Sequence, residues 1–66
     1  MNLVRPVRLA KKLMKKTVLE QTAGIITAHR LNMIESGRGW RARPHERAAL
    51  SQVLGLPEEA LFPEQR

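Results

Sequence analysis

The stretch Thr17-Val18-Leu19-Glu20-Gln21-Thr22-Ala23-Gly24-Ile25-Ile26-Thr27-Ala28-His29-Arg30-Leu31-Asn32-Met33-Ile34-Glu35-Ser36-Gly37 decides how this chain folds. It holds two helix starts and two helix stops. Thr17 and Glu20 stand three apart, the spacing of a capping box, in which a threonine hydroxyl and a glutamate satisfy each other's backbone N–H groups. A helix is therefore predicted over residues 18–23. Gly24 follows it, and glycine is the usual residue just past a helix end. Thr27 is a second cap. The helix after it carries Leu31 and Ile34 on one face and stops at Ser36-Gly37.

Outward from that pair, the punctuation stays helical. Pro6 suits a first helical position, where its missing N–H is not needed. A helix is predicted over residues 6–15, with Ala10, Leu13, Met14, Leu3 and Val7 as its apolar stripe. Met14 belongs to the core on that reading. Arg5, Arg8, Lys11, Lys12 and Lys15 cover the other side. On the C-terminal side, Arg38-Gly39-Trp40-Arg41-Ala42-Arg43 reads as a loop. Trp40 either covers the core from there or packs on a partner. Pro44 opens a fourth helix with Ala49, Leu50, Val53 and Leu54 inward, and Gly55 closes it. A last turn over residues 57–61 brings Leu56, Leu61 and Phe62 to seal the core. No alternating strand pattern survives. The expected fold is all-α: a compact domain of four to five helices spanning residues 1–66, with helix, turn and helix over about residues 17–36.

The chain has 66 residues and no cysteine. A domain of this size buries only about 60% of the surface its unfolded chain exposes, so its core is thin. Disulfides, thiolate-bound zinc and thiol catalysis are excluded. No apolar run approaches the roughly 18 residues needed to cross a membrane, and basic residues interrupt the N-terminal region where a signal peptide would be apolar. A cytoplasmic protein is expected, nucleoid-associated in a bacterial or phage-infected cell. Two histidines, His29 and His45, lie sixteen apart without a third ligand, so no metal site is expected. There is no aspartate, no paired carboxylate and no phosphate loop. No enzyme activity, cofactor or small-molecule ligand is expected.

Charge is distributed unevenly. Residues 1–47 hold eleven basic and three acidic residues, a balance of +8; residues 48–66 hold one basic and three acidic, a balance of −2. One end of the molecule should carry a positive field, for which polyanions are the natural partner. A basic all-helical domain with two short helices joined by a glycine turn has the outline of a helix-turn-helix. In that arrangement the second helix enters the major groove and its first turn reads base edges. Thr27 and the free N–H groups beside it suit a phosphate. Ala28, His29, Asn32 and Met33 project early from that helix. Asn32 could pair with adenine, His29 could donate to guanine, and Ala28 or Met33 could meet a thymine methyl. The basic face of the first helix is either DNA-facing or a solvated surface. Glu35, an acid at a helix C-terminus, opposes the dipole and is expected to hold an arginine or a backbone N–H.

Two stretches carry a resemblance. Leu31-Asn32-Met33-Ile34-Glu35-Ser36-Gly37-Arg38 is similar to the end of the recognition helix in Cro/C1-type (XRE, lambda-repressor-like) helix-turn-helix domains. Residues 47–62, from Arg47-Ala48-Ala49-Leu50 to Ala60-Leu61-Phe62, are similar to that family's closing helices. The resemblance spans nearly the whole chain. Glu20 or Gln21 stands where many members have a small alanine. The turn Gly24-Ile25-Ile26-Thr27 holds one residue more than is typical, which leaves the facing of the next helix open by one position.

The resemblance implies a lambda-repressor-like fold and a transcriptional regulator that binds double-stranded DNA in a sequence-specific way. By position it implies base contacts from Thr27, Ala28, His29 and Met33. It implies phosphate contacts from Lys16, from Arg30 or Asn32, and from Arg38, Arg41 and Arg43, with Arg8 or Lys12 adding more. A homodimer on a pseudo-palindrome is the family's usual mode; tandem or cooperative monomers are the alternative. Two other readings stay open: a protein-interaction module, such as an antitoxin or polymerase-binding inhibitor, and an architectural DNA-binding protein.

Overall fold

A computed structural model describes residues 2–37 and 41–63. Five helices follow in order: α1 Val4–Ala10, α2 Lys15–Gln21, α3 Ala28–Ser36, α4 Pro44–Leu54 and α5 Glu58–Leu61. Among the described residues there is no strand, so the all-α expectation holds. Helix α4 packs against α1, α2 and α5, and α3 packs against α1 and α2. Val4, Val18, Ile26, Leu31, Ile34, Leu50, Leu54, Leu61 and Phe62 meet in the centre. Val7, Leu13, Leu19, Val53 and Leu56 pack around them.

The first helix differs most from its sequence reading. It starts two residues earlier and ends five earlier than residues 6–15. Pro6 is its third residue, still within the first turn, where backbone N–H groups have no helical acceptor. Asn2 provides the start: its Oδ1 accepts from Val4 N at 3.1 Å, and its Nδ2 donates to Ile34 O at 2.7 Å. Leu3 N donates to Leu61 O at 2.8 Å. The chain's first described residues are thus fastened to α3 and α5. At the other end Lys12 enters the left-handed region at φ 56°. Leu13 N returns to Arg8 O, and Arg8 Nη1 reaches Leu13 O at 3.0 Å. The inward residues are Val4 and Val7 with Arg8, while Ala10 is exposed and Met14 is 71% exposed. Met14 is therefore not core: it is the extended residue before α2.

Helix α2 begins at Lys15, which puts Thr17 inside it as the third residue. The expected Thr17–Glu20 capping box does not form. Met14, in an extended conformation, stands before the helix, and Val18 and Thr22 face inward one turn apart. After Gln21 both Ala23 (φ 53°) and Gly24 (φ 84°) are left-handed. That double reversal turns the chain so that Ile26 plugs the core, 1% exposed, while Ile25 stays 51% exposed.

From Thr27 onward the local reading and the structure agree. Thr27 Oγ1 accepts from Arg30 N at 3.2 Å. Gly37 and Gly55 close α3 and α4 at φ 65° and 74°, as glycine does at this position without a Cβ penalty. Pro44 is the first residue of α4. Leu61 and Phe62 are buried and Leu56 is half-buried. Trp40, and with it the question of whether it covers the core, lies outside the described residues, as do Arg38 and Gly39. No described helix is long and apolar enough to cross a membrane.

Candidate nucleic acid interface

Helix α3 turns Leu31 and Ile34 fully inward. With about 100° between successive residues, its outward face falls on His29, Met33 and Ser36, with Asn32 beside them. Thr27, Ala28, His29 and Asn32 are exposed and Met33 is half-buried. The five residues expected to meet bases thus lie at the start and along the outer side of one helix. Past the Thr27 cap, the first N–H groups of α3 have no acceptor within the helix.

The two flanks of α3 are locked. On the flank toward α1, Arg8 Nε and Nη2 donate to Glu35 Oε2 and Oε1 at 2.7 and 3.1 Å. Both side chains are nearly buried, 8% and 4% exposed. Glu35 therefore holds an arginine, as its position against the dipole suggests. On the flank toward α4, Arg30 Nε and Nη2 donate to Glu46 Oε2 and Oε1 at 2.8 and 2.6 Å. Glu46 Oε1 also accepts from Arg43 N at 2.8 Å, closing the start of α4. The Arg30 guanidinium and the Arg43 N–H hold the Glu46 carboxyl down at about 2, against an opposing push from burial. The same hydrogen bond raises the Arg30 guanidinium.

These pairs change the roles read from sequence. Arg8 and Arg30, both expected among the phosphate contacts, have their guanidinium groups bound to internal acceptors. Arg8 is buried, and Arg30 gives a further bond to Arg41 O at 3.2 Å. Asn32 Oδ1 accepts from Lys15 Nζ at 2.8 Å. Among the described residues the lysines and arginines left exposed are Arg5, Lys11, Lys12, Lys15, Lys16, Arg41 and Arg43. The Lys15–Asn32 bond sets Lys15 beside α3, with Lys16 next to it in α2. The Arg30–Arg41 bond sets Arg41 and Arg43 along the other. Lys12 is in the α1–α2 turn. Arg38 lies outside the described residues.

Sequence reasoning missed Glu46 and Asn2. Glu46 had a legible signal, since it is the third residue of a helix whose start at Pro44 is plain, where glutamate turns back to cap. Its arginine partner, sixteen residues away, had none. Among the described residues no three His, Cys, Asp or Glu side chains gather; His29 and His45 are both exposed. Comparison with family models, with curated proteins and with solved structures gives no match.

Proposed function

We propose that this protein binds double-stranded DNA by inserting the outer face of α3 into the major groove, and acts as a sequence-specific transcriptional regulator of Cro/C1 type. The observation that carries this reading is the combination on α3. Its outer face carries the exposed His29 and Asn32 and the half-buried Met33, while both flanks are fixed by ion pairs and exposed cations stand on the neighbouring elements. A helix that reads bases must be held rigidly, because base discrimination depends on hydrogen-bond geometry. The exposed cations on the neighbouring elements, Lys15 and Lys16 of α2 and Arg41 and Arg43 before α4, supply charge for phosphates. Regulation then follows from site occupancy and not from chemistry. A homodimer on a pseudo-palindrome extends the proposal.

The protein-partner alternative has one observation behind it. A shallow cleft between the α2–α3 turn and α4 is lined by Ile25, Ala49, Gln52 and Val53, and Ile25 is half exposed. Selection of bound duplexes from a random pool at near-physiological salt separates the readings. A recovered motif, lost in a His29→Ala variant that still folds, is expected. No enrichment above the input pool overturns the specific-regulator reading.

A further inference from the structure

Beside the outer face of α3 lies an open cleft of about 370 Å³ lined by Arg5, Lys15, Asn32, Glu35 and Ser36. Three helices contribute: α1 gives Arg5, α2 gives Lys15, and α3 gives the rest. We propose that this cleft seats one phosphate group, held by Arg5, Lys15 and the Asn32 amide. As a nucleic-acid backbone contact it rests on the DNA reading above; as an oxyanion site it does not.

The charges in the cleft do not cancel. Among the described residues Glu35 is its only carboxylate, and both of its oxygens are bound by Arg8. Arg5 has no hydrogen bond or ion pair among the described residues, and Lys15 bonds only an amide. Two cations therefore border a space in which, among the described residues, no carboxylate is free to meet them. The amide completes the polarity. A lysine ammonium has donors only, so the atom of Asn32 facing it must be the carbonyl oxygen. The Asn32 NH2 group then points away from Lys15 as a further donor. Ser36 gives its hydroxyl proton to Met33 O at 2.8 Å, so it forms wall and not donor. Two cations and an outward amide NH2 match the acceptor-only oxygens of a phosphate.

The arrangement also assigns Lys15 a positioning role. By holding the Asn32 oxygen, it fixes which end of the amide reaches outward, so loss of Lys15 frees the amide to rotate.

The test pairs inorganic phosphate with duplex DNA. The full chain is titrated with phosphate at low salt by NMR, following the Arg5 and Asn32 side-chain N–H signals, and random duplex binding is measured across a salt series. Arg5→Gln and Lys15→Gln are both at exposed positions, and thermal melts check that they fold. Lys11→Gln is the control, because Lys11 lies against Gly55 at the end of α4. Each of the two variants, but not the control, should lower the salt slope of duplex binding by about 0.9. Phosphate should shift the Arg5 and Asn32 signals before others, and neither variant should retain that response. A slope change without a phosphate response assigns the seat to backbone phosphodiester alone. A phosphate response without duplex binding keeps the seat and removes the DNA reading. Duplex binding with slopes unchanged in both variants, and no phosphate response, overturns the seat and leaves the DNA reading intact. Neither ligand binding overturns both.

Discussion

Toward α1, helix α3 supplies the acid; toward α4, it supplies the base. Glu35 in its last turn meets Arg8, and Arg30 in its first turn meets Glu46. Both charges on α3 have the wrong sign for the helix dipole, which favours acids at the start and bases at the end. Alone, α3 is weakened by them. In the folded chain each is met by a bidentate partner, so α3 is stable only in its place between α1 and α4. The two locks also differ. Arg8 extends past Glu35 to Leu13 O and so fastens the α1–α2 turn. Glu46 extends past Arg30 to Arg43 N and so fastens the start of α4. One lock is organised around a shared arginine and the other around a shared glutamate.

The comparison is sharpest when each shared residue is removed. Breaking a buried ion pair by deleting one partner costs about 3–5 kcal/mol, a large part of what a domain this small has. Glu46→Ala leaves the Arg30 guanidinium with its Arg41 carbonyl alone and strands the Arg43 N–H. It is expected at the upper end of that range, read as a loss of the urea midpoint or outright unfolding. Glu35→Gln leaves Arg8 its Leu13 bond and keeps the shape of the side chain. It should cost less, about 2–3 kcal/mol. Equal losses would show that the second hydrogen-bond partner of each shared residue contributes nothing.

Acid tests the α4 lock by a different route. The folded Glu46 carboxyl sits at about 2, below its ordinary 4.5. A depressed carboxyl stabilises the fold fully above its unfolded value and stops doing so as pH falls through the folded one. The Glu46 contribution is therefore constant above about pH 5 and fades between about 4.5 and 2. It amounts to on the order of 3 kcal/mol. Urea melts of wild type and Glu46→Gln should converge across that window. A constant gap down to pH 2 would remove this account of the α4 lock.

Smaller effects test the two threonines that open the helix pair. Thr27 caps α3, so Thr27→Ala should cost about 1 kcal/mol. Thr17 lies inside α2, where alanine is the better helix former, so Thr17→Ala should be neutral or slightly stabilising in the same thermal melts. A third small change is expected to be a gain. Ala23 holds φ 53°, which a glycine adopts without the Cβ clash, so Ala23→Gly should stabilise by about 0.5 kcal/mol. A loss in Ala23→Gly would mean that its methyl packs usefully in the turn.

Much of the candidate interface was legible for the same reason that the second half of the fold was. Thr27, Gly37, Pro44 and Gly55 act through atoms within four residues of themselves, and the facing of α3 follows from Leu31 and Ile34. The residues whose roles changed act over longer distances. Arg8 meets an acid 27 positions away and Arg30 one 16 positions away, and a lone arginine in a sequence looks the same whether it will face water, a phosphate or a buried glutamate.

The sequence by itself determined an all-helical chain, the places where α3 and α4 begin and end, and an N-terminal excess of positive charge. Those depend on caps, glycine conformations and counts, which are local or additive. Tertiary structure decided where α1 stops, which threonine caps a helix, that Met14 is exposed, and which arginines remain open to a partner. Each of these depends on burial and on partners brought together by folding, because a buried charge is tolerated only where a distant opposite charge arrives to meet it.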